Sequence, residues 1–146
     1  MLPAMHSALD ILLIEDNEGD VEMTRRALRR AEPEVRLAVA NNGDQGLEAL
    51  NQTGKYADGA RPHLILLDIN MPRMDGKTFL SIVKSTEPFR GIPIVMFTSS
   101  DSPADIRDCF ERQASAYVVK PFDGALYAER LREVVNFYGV VGEVPL

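Results

Sequence analysis

The stretch Leu64-Ile65-Leu66-Leu67-Asp68-Ile69-Asn70-Met71-Pro72-Arg73-Met74-Asp75-Gly76 runs four apolar residues straight into an aspartate and then into turn chemistry. A short apolar run closed by Asn, Pro and Gly is the pattern of a parallel strand covered by helices on both faces, since neither face meets water. The stretch predicts a buried strand that delivers a carboxylate at its polar end. In open α/β sheets ligands bind beyond the carboxyl ends of the strands, so Asp68 stands where chemistry is expected.

Outward from that strand the chain alternates between two periodicities. Asp10 to Ile14 is another apolar run and ends in Glu15-Asp16-Asn17. Glu18 to Ala31 carries Val21, Thr24, Leu28 and Ala31 at helical spacing. Val35 to Ala40 reads as a strand, and Asp44 is placed to cap a helix through Leu50 that ends near Gly54. Tyr56 to Pro62 reads as a loop. After the Leu64 strand, Lys77 to Thr86 is a helix with Phe79, Leu80 and Val83 inward. Ile94 to Phe97 is a fourth strand, followed by the hydroxyl-rich Thr98 to Pro103 and a helix to about Arg112. Ala116 to Val119 is a fifth strand, cut by Lys120-Pro121, and Asp123 to Tyr138 is a final helix with Leu126, Leu131, Val134, Val135 and Tyr138 on one side.

Five strands, each followed by a helix, return the chain to the same end of the sheet every time, so the sheet is parallel. Right-handed crossovers and helices on both faces then require a reversal of strand order near the first strand, which predicts a doubly wound sheet of order 2-1-3-4-5. That order sets the first and third strands side by side. It brings Glu15 and Asp16 next to Asp68.

Three carboxylates in one pocket repel, since two unit charges 4 Å apart interact by roughly 4 kcal/mol at an effective dielectric near 20. Hard oxygen ligands without His or Cys favour Mg²⁺, and Lys120 at the end of the fifth strand supplies a further point charge. An aspartate beside Mg²⁺ and Lys, with the Thr98 hydroxyl opposite, suits phosphoryl acceptance with the carboxylate as nucleophile. Lys120-Pro121 is the position predicted to hold a cis bond, because the chain must turn there while the amine aims inward.

Composition narrows the remaining classes. The 146 residues predict one domain, core about 10–138 with a tail 139–146, and 45% hydrophobic with 26% charged residues are ordinary globular values. The net charge of -6 argues against nucleic acid as partner. Cys109 is the single cysteine, so no internal disulfide forms, which fits a reducing compartment. Met1 to Leu9 lacks a basic start followed by an apolar run, and no stretch reaches the ~18 apolar residues of a membrane span, so a cytoplasmic protein with no membrane partner is expected. His6 and His63 read as incidental.

These residues resemble the receiver domain of bacterial two-component response regulators, a flavodoxin-like fold, over Asp10 to Tyr138. The match lies in the acidic pair Glu15-Asp16, in Asp68 followed by Asn70, Met71, Pro72 and Asp75-Gly76, in Thr98, and in Lys120-Pro121-Phe122. The resemblance implies that Asp68 takes phosphate from a histidine kinase. It further implies that Glu15, Asp16 and the Asn70 carbonyl help hold Mg²⁺, that Lys120 contacts the phosphate, and that Thr98 with Tyr117 forms a switch. Tyr117, alternating with Val118 and Val119, also reads as plain packing. The acidic pair is Glu-Asp where Asp-Asp is commonest, and Ser99 stands where Ala often follows the switch Thr.

Glu18-Gly19-Asp20, the Tyr56 to Pro62 insertion and the Phe137 to Val141 tail resemble the single-domain regulators that partner bacterial phytochromes. Such a protein signals through its surface and is not an enzyme. The apolar tail, with Phe137, Tyr138, Val140 and Val141, predicts a homodimer contact; its alternative is a tail folded over its own domain. Two other functions share the fold class. A haloacid dehalogenase-type phosphatase needs a second Asp two residues after the first, where this chain has Asn70. A flavodoxin-like electron carrier needs a phosphate-cradling loop after the first strand, where Glu15-Asp16-Asn17-Glu18 would repel phosphate.

Overall fold

The computed structural model describes residues 8–31 and 34–141. Five parallel strands, β1 (Leu9–Ile14), β2 (Val35–Ala40), β3 (Leu64–Leu67), β4 (Ile94–Thr98) and β5 (Ala116–Val119), lie in the order β2-β1-β3-β4-β5. A helix follows each: α1 (Glu18–Leu28), α2 (Gly43–Asn51), α3 (Gly76–Lys84), α4 (Pro103–Glu111) and α5 (Gly124–Asn136). The doubly wound order predicted from the alternation of strands and helices is the observed one.

Strand alternation divides the core into two. Leu12, Ile14, Ile65, Leu67, Ile94 and Met96 face α2, α3 and α4 with Leu50, Phe79, Leu80 and Val83. Ile11, Leu13, Leu64, Leu66, Val95 and Phe97 face α1 and α5 with Leu28, Leu131 and Val135. Every residue of β3 is buried, as a strand between two helical layers must be. β1 and β3 pair in register Ile14 with Leu67, so the residues that follow, Glu15 and Asp68, leave the sheet together.

Several local expectations need correction. Asn42, not Asp44, caps α2, because its Oδ1 is the oxygen that reaches the Gln45 N–H, at 2.8 Å. The Tyr56 to Pro62 segment is a loop as expected, apart from its first residue. Its first residue closes a 3₁₀ turn, Gly54–Tyr56, and the Tyr56 ring is buried with its hydroxyl donating to the Val39 carbonyl at 2.7 Å. In the first turn of α5 the buried position is Tyr127 and Leu126 is half-buried, a shift of one residue around the helix, while Leu131 and Val135 face inward as expected.

The bond Lys120–Pro121 is trans, and among the described residues the cis bond is Glu87–Pro88. The Lys120 N–H donates to the Thr98 carbonyl at 2.7 Å and extends the β4–β5 ladder by one residue. Ordinary strand alternation then aims the Lys120 side chain to the same face as Val118, so no cis turn is required.

The dimer candidates separate at the chain end. Phe137–Val141 forms a π-helical turn, in which Tyr138 packs against the core beneath α5 while Phe137 is 52% exposed. The side chains of Val140 and Val141, residues 142–146, and the N-terminal residues 1–7 with His6 lie outside the described residues.

Gly76 opens α3 where the loop after β3 folds back on itself. A Cβ there would collide with the Asp68 carbonyl oxygen and stand 2.8 Å from the Ile69 Cα, both backbone atoms that cannot move aside. Gly76→Ala is therefore expected to destabilise the fold by about 3 kcal/mol through overpacking. The check is the urea midpoint at unchanged m-value; a loss below about 0.5 kcal/mol would show that the loop relaxes.

Candidate functional site

The carboxyl ends of β1, β3 and β5 meet at one pocket. Glu15 follows β1 and is 2% exposed, and Asp68 follows β3 and is 7% exposed. Asp16, next to Glu15, faces solvent. One carboxylate oxygen from each of the three lies within 4.8 Å of the others. The positive charge they require comes from Lys120, whose Nζ donates to Glu15 Oε1 at 2.5 Å, to Asp20 Oδ2 at 2.7 Å and to Asp68 Oδ2 at 3.4 Å.

Local backbone chemistry fixes these side chains. Asp68 Oδ1 accepts the Ile69 N–H at 2.7 Å, and Glu15 Oε2 accepts the Asn17 N–H at 3.1 Å. Asn17 caps α1 by accepting from the Asp20 N–H, so the acidic loop and the helix start form one rigid corner. Asn70 is exposed in the loop two residues past Asp68.

Burial dominates the electrostatics. Burial pushes the Glu15 carboxyl up to about 7, and the Asp68 charge adds to the rise, while the Lys120 hydrogen bond and charge pull it back. For Lys120 burial works to lower the ammonium, but the hydrogen bonds to Asp20 and Glu15 and the fields of Glu15 and Asp68 outweigh it and raise it. The ammonium therefore stays charged across the physiological range.

Thr98, at the end of β4, is fully buried and does not cap α4; Ser102 does, accepting the Asp105 N–H. The Thr98 Oγ1 accepts the Ser100 N–H at 3.4 Å, and the Tyr117 hydroxyl donates to the Ser100 carbonyl at 2.8 Å. Ser100 Oγ in turn donates to Asp105 at 2.6 Å, and Asp105 pairs with Lys77 of α3 at 2.7 Å. Thr98 and Tyr117 thus hold one residue, Ser100, from its two backbone sides.

Sequence reading brought together Glu15, Asp16, Asp68, Lys120 and Thr98 on the strand ends, and it missed Asp20 as a partner of Lys120. No local signal pointed to it, since Asp20 follows no strand and Asp16 lies before the Asn17 cap of α1. Three of the charges on and just after α4, Asp105, Asp108 and Arg112, are engaged within the chain. Lys77 holds Asp105 and Asp108, and Arg112 donates to Ser81 Oγ at 2.9 Å.

Three hard oxygens within ligand distance, with no His or Cys in the cluster, fit a divalent cation, and their mutual repulsion in a buried pocket gives it a reason to bind.

The model of the response regulator receiver domain matches residues 11–133. The response regulator Rcp1 of Synechocystis is 32% identical over 110 residues, 75% of each chain. The phosphorylated cyanobacterial phytochrome response regulator RcpA superposes with a TM-score of 0.90 at 27% identity, covering 96% of this chain and all of that one. The Mn²⁺-bound form of Rcp1 superposes at 0.87 and 27% identity, covering 94% and 99%. The acid cluster, the lysine at the end of β5 and the buried threonine of β4 stand in a chain that belongs to the response regulator receiver family of two-component signalling.

Proposed function

We propose that Asp68 accepts a phosphoryl group from a sensor histidine kinase in a Mg²⁺-dependent reaction, and that the chain signals by the surface change that follows. The observation that carries this reading is the buried Asp68 carboxylate at the end of the central strand, flanked by the Glu15 and Asp16 oxygens and faced by Lys120. Mg²⁺, when bound, neutralises negative charge on the transferring group. Glu15, Asp16, Asp68 and the Asn70 carbonyl are the ligands this chain offers it.

An Asp68 oxygen attacks phosphorus as the phosphorus–nitrogen bond of the phosphohistidine breaks, and the imidazole leaves with its electron pair. Lys120 supplies a point charge to the phosphoryl oxygens, and Thr98 a hydroxyl donor. Once the Thr98 hydroxyl turns to that group, its bond to Ser100 is given up. Tyr117 and Asp105 hold the same residue, so the change passes to α4. The chain carries no second carboxylic acid two residues after Asp68 to speed hydrolysis, which suits a signal that must persist. We read it as a phosphoacceptor rather than an enzyme with turnover.

The kinship with phytochrome regulators supports a bacteriophytochrome as the kinase. The net charge of -6 disfavours nucleic acid, and no described helix is long and apolar enough to cross a membrane, which supports a cytoplasmic site of action. A single receiver unit over 10–138 accounts for the sheet and its five helices. Exposed Phe137, stacked edge-on to Tyr138 at 5.0 Å, supports a homodimer contact at the end of α5.

Asp68→Asn is expected to abolish phosphate uptake from acetyl phosphate with Mg²⁺ while leaving the fold intact, as read by intact-mass spectrometry and circular dichroism. Uptake at normal stoichiometry would remove Asp68 as the acceptor.

Because metal ligation needs the Glu15 carboxylate, protons compete with Mg²⁺ below about pH 7. Mg²⁺ affinity measured by calorimetry should fall by about tenfold per pH unit in that range, and Glu15→Gln should flatten the dependence. The raised value also has a stability consequence for the metal-free protein. The folded state holds the proton more tightly than the unfolded one, so the contribution is fully present below 4.5 and is lost as pH rises through about 7.

Phe137→Ala should lower the mass seen by light scattering at micromolar concentration. A wild type that is monomeric there, with and without phosphate, would refute the dimer.

A further inference from the structure

The Lys120 ammonium has three protons, and three carboxylates face them: Glu15 at 2.5 Å, Asp20 at 2.7 Å and Asp68 at 3.4 Å. Two of these, Glu15 and Asp68, belong to the oxygen cluster that fits a divalent cation; Asp20 does not. A divalent cation and an ammonium compete for the same lone pairs and repel each other. When Glu15 and Asp68 are engaged as ligands, their hold on the ammonium weakens. Asp20 is the partner not shared with the metal.

We propose that Asp20 is a positioning residue for Lys120: its carboxylate retains the ammonium beside Asp68 while Glu15 and Asp68 serve Mg²⁺, so that Lys120 meets the incoming phosphoryl group already in place. The inference rests on the reading of Asp68 as phosphoacceptor.

Asp20 is built as an anchor. Its N–H is held by Asn17 Oδ1 at 2.9 Å, and its carbonyl accepts from Thr24 Oγ1 at 2.9 Å and from the Tyr127 hydroxyl at 3.3 Å. With the backbone pinned from both sides, only two side-chain torsions separate the carboxylate from a fixed frame. The first turn of α1 also favours a negative charge there, through the unpaired N–H groups at the helix start. The Lys120 side chain is 8% exposed and that of Asp20 28%, so the ammonium is enclosed while its anchor keeps contact with water. A long-range field from Asp20 would act on the metal, whereas an anchor acts on Lys120, and the two are separable.

Asp20→Asn keeps the shape and removes the charge. At saturating Mg²⁺ the rate constant for phosphorylation by acetyl phosphate is expected to fall about tenfold, with the Mg²⁺ dissociation constant moving less than about threefold. In a Lys120→Met background the same substitution should change the rate less than about twofold, since its effect runs through the missing amine. A second readout needs no turnover. In protein labelled with ¹³C-lysine, the Lys120 Cε resonance should stay in place when Mg²⁺ is added to wild type and move to the free-lysine position when it is added to Asp20→Asn.

An unchanged saturating rate, a loss cured by excess Mg²⁺, an equal loss in both backgrounds, or a Lys120 resonance indifferent to Asp20 would each overturn the proposal. If Lys120→Met takes up no measurable phosphate, the resonance decides. Failure of wild type to take up phosphate on Asp68 would instead refute the acceptor reading, and the resonance still tests Asp20.

Discussion

One ammonium group set among carboxylates governs this structure. Glu15 and Asp68 are nearly removed from water, and Asp16 sits at the rim of the same cluster. A buried charge without a partner costs several kcal/mol, and stripping the partner from a buried pair typically costs about 3–5 kcal/mol. Lys120 is therefore the condition on which the acidic pocket can exist without metal. The β4–β5 ladder sets its reach: the Lys120 N–H continues the ladder to the Thr98 carbonyl, and alternation points the side chain across the sheet end to β1 and β3.

The fold was legible where burial on both faces leaves a continuous signal. That holds for β3, buried throughout, whose bounds coincide with the expected ones; the half-exposed edge strands β2 and β5 also coincide, bounded by polar and turn residues rather than by burial on both faces. Helix ends were less legible. Asn42 and Asp44 are both able to cap, and only the path of the chain into α2 decides which oxygen meets an N–H. Leu126 and Tyr127 are adjacent apolar residues a third of a helical turn apart, and the tilt of α5 against Phe97, which packs edge-on to Tyr127 at 5.0 Å, selects the second.

The site was legible by its charges and opaque in its pairing. Glu15, Asp16, Asp68, Thr98 and Lys120 all follow or end strands, so topology alone collects them at one edge. Asp20 does not follow a strand. Its encounter with Lys120 across 100 residues of sequence depends on α1 covering the face to which Val118 and Lys120 point, a packing relation that no local pattern encodes. The cis-bond expectation at Lys120–Pro121 erred for a related reason: it assigned to a turn the aiming that strand alternation already performs.

On the proposed reading, the same geometry offers a route from Asp68 to a distant surface. Ser100 is bonded by Thr98 on its N–H, by Tyr117 on its carbonyl and to Asp105 by its hydroxyl, and Asp105 is tied through Lys77 to α3. Of these links the 3.4 Å contact from Ser100 to Thr98 is the longest, and hydrogen bonds weaken as they lengthen beyond about 3.2 Å. Thr98 is also the member that ends its strand beside the acid pocket. The weakest bond of the chain thus lies at the end nearest the proposed phosphoryl group, and the strong bonds lie toward α4. On the proposed reading, that order lets the Thr98 oxygen release the Ser100 N–H as its own proton turns to the phosphoryl group, while Tyr117 and Asp105 keep their hold on Ser100 and carry the change toward α4.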